Sequence, residues 1–87
     1  MLVKTESGFE IDIEKESFAD DWELLELLVQ ADSNNQAATI KAMEAILGKD
    51  GYKNLKEHLR QDGKVSAVRM RNEFTEILTR LGDSEKN

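Results

Sequence analysis

The stretch FADDWELLELLVQADSNNQAATIKAMEAILG, residues 18–48, decides the fold, because it holds two helices with more apolar surface than a single face each would need. At about 100° per residue, Phe18, Trp22, Leu25 and Val29 fall on one narrow stripe with Leu28 at its margin, and that stripe reads as core. Leu24 lies well away from it, and Leu27 lands opposite, on the face of Asp20 and Glu23. Both leucines therefore call for a second partner. Ser17 followed by Asp20 resembles a capping box, and Asp20, Asp21 and Glu23 sit where a helix N-terminus favours negative charge, so the first helix is predicted over 18–31. After the turn Asp32-Ser33-Asn34-Asn35, a second helix is predicted over 35–47, ended by Gly48. Its Ile40, Met43, Ile46 and Leu47, with Ala38, Ala42 and Ala45, cover most of the circumference, which predicts a helix covered on two sides.

Upstream, Phe9, Ile11 and Ile13 alternate with Glu10, Asp12 and Glu14, the period of a strand with one wet face. Leu2-Val3 supplies a partner strand and Glu6-Ser7-Gly8 a three-residue turn, giving a hairpin over 2–14. Downstream, a short helix over 51–60 turns Tyr52, Leu55 and Leu59 inward and Lys53, Lys56 and Arg60 outward, with Gln61-Asp62-Gly63 closing it. Ser66 can cap a last helix over 66–81, whose Ala67, Met70, Phe74, Ile77, Leu78 and Leu81 form one stripe. Gly82 is its expected stop, Glu76 and Arg80 can pair one turn apart, and 83–87 should fray. The fold class is mainly α: an N-terminal β-hairpin followed by about four short helices, with a small α+β arrangement as the variant.

Eighty-seven residues make one domain with one core, and a chain this short gains from a partner or a second copy that covers more of its surface. The net charge of −6 is uneven. Residues 1–30 hold nine acids against two lysines, while 31–87 hold nine acids against ten basic residues. That asymmetry resists general nucleic-acid binding and suits head-to-tail contact between copies. No apolar run reaches the length of a membrane span, and Met1-Leu2-Val3-Lys4-Thr5 lacks the build of a signal peptide, so a soluble cytoplasmic protein is expected.

Cysteine is absent and His58 is the only histidine, which leaves no material within one chain for a histidine-based triad or a multi-histidine metal site. His58 is expected to pack beside Tyr52, Leu55 and Leu59. A calcium loop starting at Asp32 would place Ala37 where glycine is required and Met43 where glutamate belongs. Gly48-Lys49-Asp50-Gly51 lacks phosphate-loop spacing. The expectation is no catalysis, no cofactor and no metal. Lys53, Lys56 and Arg60 on the helix after a short turn would also fit a small helix-turn-helix DNA-binding regulator, which is the alternative reading.

Taken in order, Ser7-Gly8-Phe9-Glu10-Ile11-Asp12-Ile13, then Asp21-Trp22-Glu23-Leu24-Leu25-Glu26-Leu27-Leu28, then Leu47-Gly48-Lys49-Asp50-Gly51-Tyr52-Lys53-Asn54-Leu55-Lys56-Glu57-His58-Leu59, then Gly63-Lys64-Val65, resemble the small tail assembly chaperones of long-tailed phages of Gram-positive bacteria, including lactococcal phages. The likeness covers nearly the whole chain, and Trp-Glu-Leu-Leu-Glu-Leu-Leu is its most specific block. It departs at Gly51, where a better helix former would be expected. The resemblance implies a protein of the host bacterial cytoplasm, not of the mature virion, that self-associates and shields the apolar helical tape measure protein before tail-tube polymerisation. It also implies a longer form of the same chain made by ribosomal slippage as a further partner. For the shielding surface the residues point to Leu24, Leu27, Leu28, Met43, Ile46 and Leu47. For self-association they point to Asp20, Asp21 and Glu23 against Lys49, Lys53, Lys56 and Arg60.

Overall fold

A computed structural model describes residues 1–14, 16 and 20–85. Strands β1 (Leu2–Lys4) and β2 (Glu10–Asp12) pair antiparallel, with Leu2 opposite Asp12, Val3 opposite Ile11 and Lys4 opposite Glu10. The Thr5 N–H donates to the Phe9 carbonyl at 2.9 Å and closes the Glu6-Ser7-Gly8 turn. Period-two alternation does the sorting. Val3, Thr5, Phe9 and Ile13 are buried, whereas Lys4 and Glu10 form an ion pair of 3.4 Å on the wet face.

Helix α1 (Trp22–Asp32) begins later than the sequence predicts. Asp21 is its cap, the carboxylate accepting from the Leu24 N–H at 3.1 Å, so the chain enters this helix after Asp21. Ser17 and Phe18 lie outside the described residues. Asn35 caps α2 (Gln36–Leu59) in the same way, through the Ala38 N–H at 3.1 Å. The two helices predicted over 35–47 and 51–60 form one run, broken within it at Gly48, whose φ of 78° and ψ of 164° are non-helical. No loop separates them; the single kinked residue redirects the chain.

The hairpin straps this kinked helix to the last one. A Cβ placed on Gly51 would meet Ile11 Cδ1 at 2.7 Å and Leu47 Cβ at 3.3 Å, so β2 sits close against α2 at this glycine. This close approach explains why a weak helix former stands at the position where the sequence pattern calls for a strong one. Further along, the Ser7 carbonyl and hydroxyl lie 3.1 and 3.2 Å from His58 Nε2, and the His58 ring is 5.6 Å from that of Phe9. His58 is exposed. It pins the hairpin turn instead of packing beside Tyr52, Leu55 and Leu59 as expected.

Two short strands, β3 (Arg60–Gln61) and β4 (Lys64–Val65), form a second hairpin that the sequence reading treats only as the close of a helix. Asp62 and Gly63 both have positive φ, 53° and 80°, the geometry of the tightest hairpin turn. Its strands are two residues long and Val65 is their one apolar side chain, so no alternation announces it. Helix α3 (Ala67–Glu85) then starts at Ser66, whose hydroxyl accepts from the Arg69 N–H at 3.2 Å. It passes through Gly82 without stopping, because one glycine costs a helix only about 1 kcal/mol. Glu76 pairs with Arg80 at 2.8 Å as predicted and also accepts from the Glu6 N–H at 2.9 Å, joining α3 to the first hairpin.

Val3, Phe9, Ile13, Leu24, Ala42, Met43, Ile46, Leu47, Leu55, Leu59, Met70, Phe74, Ile77 and Leu81 form one core. One polar intruder stands out at its edge. Glu73 is 7% exposed and its Oε2 is buried with no hydrogen-bond partner. A buried polar atom left unpaired costs about 1–3 kcal/mol, so Glu73→Met, which keeps the length and removes the oxygens, is expected to stabilise the fold by that order. A urea midpoint that stays put or falls in the variant would contradict this.

Candidate binding surface

The first helix faces the core with the side opposite to the one predicted. Leu24 is 4% exposed, and Leu27 and Leu28 pack partly buried against the core. Trp22, Leu25 and Val29 are 73%, 48% and 59% exposed. The reason lies in how much of the helix is apolar. From Leu27 round through Ala31, Leu24, Leu28, Leu25 and Val29 to Trp22, the arc spans about 220°, interrupted only between Leu28 and Leu25 by Asp32, the last residue of the helix, so two phases satisfy the same sequence. Leu24, Leu27, Leu28 and Ala31 stand at i, i+3, i+4 and i+7, a core pattern as regular as that of the larger side chains Trp22, Leu25 and Val29.

The shielding residues named from sequence are thus largely inside. Leu24, Met43, Ile46 and Leu47 are all buried, in the core that the first hairpin, α1, α2 and α3 share. Of that set, Leu28 reaches an open groove. α1 and α3 both pack on α2, and between them Leu28, Val29, Phe74 and Leu78 wall a hollow of about 480 Å³ whose polar members include Asp32, Thr39 and Arg71. A second hollow of about 230 Å³ shares Thr39 and Arg71 with it and adds Ile40, Met43, Tyr52, Lys56, Val65 and Met70. Ile40 is half exposed at its mouth. Sequence reasoning passed over Trp22, Leu25, Val29 and Ile40 as surface residues and Leu78 as a half-buried one, since each also fits a core stripe.

The charged residues named for self-association divide by use. Asp21 serves as a helix cap, while Asp20, Glu23, Lys49 and Lys53 are exposed. Lys56 Nζ lies 4.6 Å from the centre of the Tyr52 ring, a cation–π contact. Arg60 makes a two-pronged bond to Glu57, at 3.1 Å through Nε and 3.0 Å through Nη2. Those hydrogen bonds, then the charge of Arg60, hold the Glu57 carboxyl below the usual range and raise the Arg60 guanidinium in turn. A depressed carboxylate stabilises the fold above its ordinary range and loses that contribution as pH falls through the lowered value; here the pair is fully exposed and screening keeps the contribution small.

Among the described residues no helix is long and apolar enough to cross a membrane, and no cluster of acidic side chains and histidine is built to hold a metal ion. No family model, curated protein or solved structure matches this chain.

Proposed function

We propose that this protein is a tail assembly chaperone that holds an apolar, helical segment of a tape measure protein in the groove between α1 and α3 until tail-tube subunits replace it. The observation that carries this reading is the unfilled groove walled by Leu28, Val29, Phe74 and Leu78 and continued along α1 by Leu25. Two helices resting on a third leave the space of a fourth, and an amphipathic helix laid there would bury its apolar anchors in the manner of groove recognition. Burying each apolar side chain contributes about 1.5–3 kcal/mol, enough in sum to exceed the cost of ordering a single helix. The work takes place in the host bacterial cytoplasm, and the chaperone leaves before the virion is complete.

The test is co-expression with a phage tape measure protein, reading the fraction of that protein that stays soluble. The chaperone should raise it several-fold, and Val29→Glu, an exposed change that puts a carboxylate on the groove wall, should remove the gain while leaving the circular dichroism of the chaperone unchanged. An unaltered soluble fraction with the wild-type chaperone would overturn the function. Undiminished rescue by Val29→Glu would overturn the groove.

A further inference from the structure

We infer that the two hollows are one groove and that Arg71, at their junction, selects among client helices by pairing with a carboxylate on the helix laid there. The inference rests on the groove reading above and adds which segments the groove prefers. One face of α3 runs through both hollows. Ala67, Met70, Arg71, Phe74, Thr75 and Leu78 recur every three or four residues along it, and Arg71 lines the two hollows together with Thr39 of α2. At about 1.5 Å per residue this wall is about 16 Å long, three turns of a docked helix. The facing side changes along that length. In the larger hollow it is Leu28 and Val29 of α1, and in the smaller it is Ile40, Met43 and Tyr52 of α2. The first pair suits aliphatic anchors, whereas Met43 with Met70 across from it adapts to a larger side chain.

Charge decides what stands between those anchors. Arg60 and Arg80 each hold a glutamate, at 3.0 and 2.8 Å, and the Lys56 ammonium rests over the Tyr52 ring. Arg71 is exposed and, among the described residues, enters no ion pair, although Asp32 lines the larger hollow with it. Asp32 also fixes the side from which a carboxylate can approach, because in the larger hollow it would meet a like charge. In the smaller hollow none of the described lining side chains is acidic, and Lys56 adds a second positive charge. A guanidinium between apolar walls can donate two N–H groups to one carboxylate, so it rewards an acid at one place on the client and nowhere else. The preferred client segment is therefore an apolar helix carrying Asp or Glu next to a large apolar residue.

Three labelled peptides of about 18 residues, long enough to hold a helix on a surface, test the preference. They share one leucine stripe ending in phenylalanine and differ one turn before that ring, where they carry glutamate, glutamine or lysine. By fluorescence anisotropy the wild type should bind the glutamate peptide about fivefold more tightly than the glutamine peptide, and the lysine peptide most weakly. The preference should fade as salt rises from about 0.1 M to about 1 M. The net charge of −6 pulls the other way, toward lysine, so this order reports the local cations. Arg71→Glu should reverse the order of the glutamate and lysine peptides and leave the glutamine peptide within about twofold. An acid in the early turns of α3 suits the helix N-terminus, and circular dichroism checks that the variant keeps its fold. Val29→Glu should weaken the glutamine peptide several-fold, which places it between α1 and α3. Equal affinity of the wild type for the glutamate and lysine peptides, or an order that Arg71→Glu leaves unchanged, would overturn the selection by Arg71 and leave the groove standing. No binding of any peptide, or binding that Val29→Glu leaves undiminished, would overturn both.

Discussion

Gly48→Ala is expected to lower the stability of the fold by about 1–3 kcal/mol, although helix propensity alone forecasts a gain of about 1 kcal/mol from the same change. The residue sits inside a helical run at φ 78° and ψ 164°, a backbone region open in practice to glycine only. Apart from its chain neighbours and the backbone of its own helix, no atom lies within 4 Å of the position a Cβ would take, so tertiary packing does not enter and the outcome reports backbone strain. Leu47 before the break and Leu55 after it lie in the same core. For a domain of this size each kcal/mol moves the thermal midpoint by about 4–8 °C, so calorimetry resolves the sign. A midpoint that rises in the alanine variant would mean that the run is straight in solution.

The neighbouring pair Leu24 and Leu25 gives the sharpest contrast in the molecule. Leu24→Ala should cost about 2–5 kcal/mol, the range for a leucine removed from a packed interior, and Leu25→Ala should change stability by no more than about 0.5 kcal/mol. Total stability for 87 residues is on the order of 4–13 kcal/mol, so the first variant loses a large share of its native population and the second keeps it. Urea titration measures both, with an unchanged slope as the sign that the unfolding transition itself is the same. Equal costs at the two positions would show that α1 rocks between its two apolar faces instead of resting on Leu24.

That contrast also marks where the sequence could be read and where it could not. The first hairpin followed from strict alternation in Phe9, Ile11 and Ile13, and α3 from a single unbroken stripe ending in Leu81, because in each case only one face is apolar. The break at Gly48 was equally plain. Helix α1 defeated the same logic since its apolar arc is wide enough for two orientations, and choosing the larger side chains put Trp22 inside. The groove was out of reach for a related reason: Leu78 on α3 looks like core from its spacing, and only the placement of α1 and α3 on α2 leaves it facing an opening. The close seat of Ile11 on Gly51 joins residues far apart in the chain, and no local pattern encodes it.

The hairpin strap has a consequence for how the chain is made. Ser7 waits for His58, 51 positions later, and Glu6 for Glu76, 70 positions later. Synthesis proceeds from the amino end, so β1 and β2 emerge from the ribosome long before the elements that hold them exist. Val3, on the strand that touches α3, is not fully covered until α3 is in place, so closure of the strap is a late step of folding.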